Sequence, residues 1–261
     1  QAGGTATVTA MAWGLSAQTV VTVSLRFEYV EPGAPADAAA QMAGSPGIDP
    51  AREGGLVYPL DEAYMPQNVQ PPDVQWTRGT LGDLYRVRLV RGLAEIDGYV
   101  LHDGAAFGFH WAVPAAAWRA LVETSPTEDI HFELLRRIAA DASLVVDRPR
   151  LVHVVPRALR GAVYYWDIEV GRIQRIRADG SGREDVIPNP PPSPTGGTRC
   201  VACHTISRDG RMLAVELWGG SEPSTAFDLT RDLTGDPPPT IFPPGVATFL
   251  FSSYSPDGTR L

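Results

Sequence analysis

Lysine is missing from this chain. All 22 basic residues among the 261 are arginine, which removes a P-loop lysine, a Schiff-base lysine and a lysine nucleophile from consideration. Cysteine is nearly missing, with two copies. No apolar run approaches the ~20 residues a membrane-spanning helix needs, so no transmembrane segment is expected. Acidic residues outnumber basic ones 30 to 22, for a net charge of −8. That balance argues against a nucleic-acid partner, because a phosphate backbone demands a concentrated basic face. There is no G-x-S-x-G elbow for a serine hydrolase. Carboxylate pairs such as Glu216 with Asp228 are too common to mark a glycosidase. The first residue is Gln1 rather than Met, and the expectation is that any signal peptide has been removed or left out.

What is present is concentrated in one place. Both cysteines fall in Cys200-Val201-Ala202-Cys203-His204, the C-x-x-C-H pattern of covalent haem attachment. Two thiols about one turn apart can each bond one vinyl group of the same porphyrin. The next side chain is then held beneath the ring, where a neutral His204 imidazole can donate to iron. Zinc would need two further ligands, and no second cysteine pair exists. A thioredoxin-type pair opens a helix after a strand, whereas Thr205-Ile206-Ser207 leading to Asp209-Gly210 reads as strand and turn. A plain disulfide leaves His204 without a role. The candidate site is therefore Cys200 and Cys203 as thioether anchors of haem c, with His204 as the iron ligand.

Hydrophobic residues make up 44% of the chain, enough for one large or two ordinary domains with real cores. Residues 19 to 30 alternate, with Val21, Val23, Leu25, Phe27 and Tyr29 on one face, as in a half-buried strand. Residues 31 to 55 are rich in Pro, Ala and Gly and read as a linker. Hence 1–55 is assigned to an N-terminal strand and linker, the strand either standing apart or crossing back to pair with later ones. From 56 to 155 short alternating segments recur: Tyr85, Val87 and Leu89 point inward in one, Ile130, Phe132 and Leu134 in another. Asp97-Gly98 and Asp103-Gly104 mark turns. One helix starts at Pro114 and shares Trp118, Leu121 and Val122 on a face. This reads as an immunoglobulin- or fibronectin-like β-sandwich with one short helix, and Trp76, Trp111 and Trp118 in its core. Residues 156–261 change rhythm. Ser207-Arg208-Asp209-Gly210-Arg211-Met212-Leu213 returns as Ser255-Pro256-Asp257-Gly258-Thr259-Arg260-Leu261, 48 residues on, near the period of a propeller blade.

On these motifs the chain resembles the β-propellers of the TolB type, whose blades carry an S-P-D-G-x-x-L hairpin. It is similar to a bacterial group in which an Ig-like domain precedes such a propeller and C-x-x-C-H lies just before the S-x-D-G turn. The resemblance covers roughly 56 to 261 and implies a mainly β fold ending in the first blades of a propeller. A propeller closes with at least ~4 blades, so the 261 residues are expected to be a fragment of a longer protein, or the remaining blades to be supplied otherwise.

If haem is attached, the function expected is single-electron transfer by a c-type cytochrome in the cell envelope, periplasmic or extracellular, with a redox partner protein. The alternatives are a haem enzyme or sensor with an open sixth position, or an interaction protein stapled by haem. Candidates for the sixth position are His102, His110, His131, His153, Met11, Met42, Met65 and Met212, with His153 first. Taking Arg208-Asp209 as a two-residue turn, Met212 projects away from His204. The proline-rich stretch 188–194 is either a stiff linker or a cover over the haem, with Trp218, Phe249 and Phe251 as possible lining.

Overall fold

The computed structural model describes residues 2–219 and 223–261. It is mainly β, as the sequence implies, and divides into two compact units, Gln1–Leu159 and Arg160–Leu261.

The first unit begins with an arm. Strands β1 (Gly4–Ala12) and β2 (Leu15–Val23) form a two-stranded antiparallel hairpin turned at Trp13-Gly14, both at positive φ. Every residue of both strands is exposed, and Trp13 wholly so. The register puts Ala6, Val8, Val21 and Val23 on one side and Thr5, Thr7, Thr9, Gln18 and Thr22 on the other. The period-2 pattern is thus genuine, but the arm lays neither face on a core. The single strand expected over 19–30 is two: the chain breaks at Ser24 and continues as β3 (Leu25–Val30). β3 crosses back and pairs in parallel with β8 (Ala94–Leu101).

β3 is one edge of a seven-stranded sheet. It runs β3, β8, β7 (Leu84–Arg91), β10 (Ile130–Arg137), β12 (Arg150–Val155) and β5 (Ala63–Pro66), with β11 (Leu144–Val146) paired to β10. A second sheet holds β4 (Leu56–Tyr58), β6 (Asp73–Trp76) and β9 (His110–Ala112). One apolar core joins the two. Tyr85, Val87, Leu89, Ile130, Phe132 and Leu134 come from the large sheet, Val74, Trp76 and Trp111 from the small one, and Trp118, Leu121 and Val122 from helix α2 (Ala115–Glu123). The inward alternation of β7 and β10 is what places those residues. The opposite face of the large sheet is covered too. Ala38 and Met42, in and just after the short helix α1 (Ala38–Gln41), pack on Leu84, Tyr99 and Leu135. The 31–55 stretch is therefore tied to the sheet at these positions.

Two buried arginines lock the edges of this unit. Arg91, 1% exposed, sends its guanidinium to the backbone carbonyls of Val122, Pro126 and Glu128, closing the chain beyond α2. Arg136 meets the fully buried Asp83, its Nε and Nη2 at 2.9 and 2.6 Å from one carboxylate oxygen. Burial pulls the Asp83 pKa up. The Ala139 and Thr80 amides and the Arg136 guanidinium outweigh it, leaving the carboxyl below its ordinary value.

The second unit carries two three-stranded antiparallel sheets. One is β13 (Ala162–Asp167), β14 (Arg172–Arg177) and β15 (Glu184–Asp185). The other is β16 (Val201–Ile206), β17 (Met212–Leu217) and β18 (Ser224–Asp228). Ile173, Ile187, Val201, Leu213, Val215, Leu217 and Phe227 make its core. The two S-x-D-G segments are the same turn built twice. In each, serine donates to the aspartate at 2.6 Å (Ser207 to Asp209, Ser255 to Asp257), and the glycine amide returns to the serine carbonyl at 2.8 Å. Gly210 and Gly258 sit at φ +71° and +69°, a region that favours glycine.

Two stability experiments follow from this architecture. Asp83→Asn strands the buried Arg136 charge and should cost about 3–5 kcal/mol in urea unfolding. Because the Asp83 pKa is lowered on folding, its contribution is full above the ordinary carboxylate value and fades as pH falls through the lowered one. The variant should lack that part of the acid limb. Deleting Gly4–Val23, whose side chains bury nothing, should move the first unit's melting temperature by no more than about 2–4 °C, the equivalent of 1 kcal/mol.

Candidate functional site

The Cys200–His204 segment enters the second unit as β16, and its geometry turns on one irregularity. Val201 pairs with Leu217 and His204 with Val215. That is three steps along β16 against two along β17, so one extra residue bulges out opposite Glu216. In a regular strand, positions 200 and 203 face opposite sides. The extra residue restores Cys203 to the side of Cys200, and both thiols consequently share one neighbour. Burial, and then the Glu216 carboxylate, push the Cys200 thiol above its ordinary value. Burial and a hydrogen bond with Glu216 do the same for Cys203. Both are free thiols, held protonated at neutral pH and so poor thiolate nucleophiles.

His204 goes the other way. It shares a side with Val215 and lines a groove with a cavity of about 900 Å³. Burial lowers the imidazole pKa, while a hydrogen bond to the Tyr164 backbone carbonyl opposes that shift. A neutral ring is the form that ligates metal.

The donor set can be tested against a covalently held haem. Two side-chain thiols on one face suit a double tether. Above Cys200 the β13–β14 hairpin turns at Gly171, φ +65°, where a Cβ would stand 3.3 Å from the Cys200 sulfur. A larger residue there would be strained by the positive φ and would press on that sulfur. The Gly171 carbonyl accepts from the Val201 amide at 3.1 Å. The imidazole does not fit in the same way, for it lies across the strand from both thiols. The thiols share one face of β16 and the imidazole lies on the other.

The proline-rich approach is stitched down beside this segment. Pro190 and Pro191 are buried. The Trp218 indole donates to the Pro191 carbonyl at 2.8 Å, and the Trp218 amide donates to the Cys200 carbonyl at 3.0 Å. Phe251 is 92% exposed and lines nothing.

The expected β16–β17 turn is also revised. The loop holds four residues, Arg208 to Arg211, with the Ser207 amide bonded to the Met212 carbonyl and Ile206 opposite Leu213. The register differs by two from the two-residue reading, which preserves the faces, so Met212 does project away from His204. Among candidates for the sixth position, His153 is already engaged. Its ring nitrogens face Glu62 at 2.9 Å and Asp129 at 3.1 Å, and it stacks on Tyr64. His110 bonds Asp73, His102 stacks on Phe107, Met42 is core and Met11 lies on the exposed arm.

Sequence reasoning passed over Glu216 as a generic acid. Its signal was weak but present: a lone carboxylate in the run Leu213-Ala214-Val215-Glu216-Leu217. It also missed the arginines around the groove, which lie on separate elements and come together only in the fold.

Among the described residues, no three His, Cys, Asp or Glu side chains converge as metal ligands. No family model, curated protein or solved structure matches the chain. The resemblance to the bacterial cytochromes with an Ig-like domain and a TolB-type propeller is therefore withdrawn: no match supports it, and β16 holds the imidazole and the thiols on opposite faces. What stands is a mainly β chain with two thiols aligned on one side of a bulged strand and a histidine on the other.

Proposed function

We propose that this chain is an electron carrier of the cell envelope, with a haem bonded covalently through Cys200 and Cys203 and His204 as an iron ligand. The observation that carries the reading is the bulge in β16, which turns both thiols of the C-x-x-C-H segment to one face. The glycine at 171 leaves the first of them space, and the raised thiol pKa values weigh against a dithiol couple, which works through thiolate. A haem held there supplies one-electron chemistry at iron. The chain's own contribution is the double anchor, the neutral imidazole and the proline-rich segment pinned beside Cys200. Bringing the imidazole round to the thiol face requires His204 and Thr205 to give up their pairing with Val215 and Ala214. The bulge already interrupts the ladder there.

The reading is tested by producing the chain with export to an oxidising compartment in a haem-attaching host. The intact mass should exceed that of the polypeptide by one tetrapyrrole, and alkaline pyridine should give a haemochrome spectrum. Cys200→Ser combined with Cys203→Ser should abolish both signals. His204→Ala should keep the added mass while changing the spin state of the iron. A bare polypeptide mass, or one lower by two hydrogens from a Cys200–Cys203 disulfide, sinks the proposal. A ferrous form that binds carbon monoxide at once would turn it from electron transfer to the open-site alternative.

A further inference from the structure

The groove beside His204 lies within the second unit, between the β13–β14 hairpin and the β16–β17 loop. Four arginines line it, Arg160, Arg175, Arg177 and Arg208, against two acids, Glu184 and Asp209. Both acids are spent. Glu184 is clamped by the Arg175 guanidinium. Asp209 accepts from the Ser207 hydroxyl at 2.6 Å and the Arg211 amide at 3.1 Å, completing its turn. Arg160, Arg177 and Arg208 make no ion pair among the described residues. Arg177 also acts on the nearby Asp179 carboxylate, helping to hold its pKa down. In a chain with 30 acids to 22 bases, a cavity lined by four arginines and two acids still runs against the overall balance.

The walls are otherwise suited to a small molecule. The Arg177 guanidinium lies over Gly182, at φ +66°, where a Cβ would approach its carbon to 3.4 Å. Ile206 and Tyr164 supply apolar surface, and His204 stands in the wall with one ring nitrogen on the Tyr164 carbonyl. Guanidinium groups present paired N–H donors that match the two oxygens of a carboxylate or a phosphate. Several of them around a cavity attract an anion more strongly than one, because their fields add.

We propose that this groove binds a small organic or inorganic anion bearing two or more oxyanion groups, carboxylate or phosphate, gripped by Arg160, Arg177 and Arg208 next to His204. Cys200 and Cys203 do not line the groove, and the site does not rest on the haem reading: it needs His204 where this structure holds it, paired with Val215, and an imidazole drawn to haem iron would leave the wall.

The test is calorimetric titration of the protein as purified with citrate and with pyrophosphate, at fixed ionic strength set by chloride. Saturable binding of at least one is expected. Arg177→Gln and Arg208→Gln should each weaken it by roughly tenfold, the loss of one charge-assisted contact. Arg119→Gln, on the exposed side of α2, should leave it unchanged. Citrate binding without pyrophosphate would assign carboxylates, and the reverse would assign phosphates. If neither anion binds above the chloride background, or if Arg119→Gln weakens binding as much as the groove variants do, the inference is wrong. A bare polypeptide mass alongside intact anion binding would remove the haem and leave this site standing.

Discussion

A single extra residue in β16 decides which side chains of the second unit share a face. Without it, Cys200 and Cys203 would point to opposite sides of the sheet and share no chemistry. With it, both meet Glu216, while His204 stays on the side of the core-facing Val215. Such insertions bend a strand and free part of its ladder. The position where the thiols align is thus also where β16 is least firmly held to β17. Around it the structure is more constrained: Gly171 above Cys200, Trp218 beside it, and the Asp209 turn closing the hairpin.

The first unit is stabilised differently. Its core is apolar and shared between two sheets, and its polar interior is confined to arginines that act as clasps. Arg91 gathers three carbonyls where the chain leaves α2, satisfying acceptors that would otherwise be buried without donors. Asp83 and Arg136 do the same at the other end of β7 and β10, with Arg136 also reaching the Arg52 carbonyl at 2.9 Å. The absence of lysine suits this design. A planar, forked donor set can serve several carbonyls or one carboxylate at once, where an ammonium group acts as a single point of charge.

Much of this was legible from the residues. The alternation of Tyr85, Val87 and Leu89, and of Ile130, Phe132 and Leu134, named the inward faces correctly because those strands are half-buried along their length. Trp118, Leu121 and Val122 located α2. The S-x-D-G repeats announced a turn whose hydrogen bonds are all local, so sequence alone carries them. Three things were hidden. Alternation at Val21 and Val23 cannot tell a strand that lies on a core from an arm that lies on nothing. Ala38 and Met42 pack from a stretch whose composition resembles a linker, since two well-placed contacts leave no periodicity. The bulge at 201–204 leaves no mark either: which strand takes an extra residue depends on the partner's register, and the four-residue loop after Ser207 sets that register.

The β1–β2 arm has one further consequence. Its residues 4–23 contain no charged side chain, and both of its outer edges present unpaired backbone groups along nine residues. Soluble sheets ordinarily blunt such edges with lysine, proline or a kink. Here none of these interrupts the two strands. An edge of that kind is a template for a further strand, and the arm offers it on both sides.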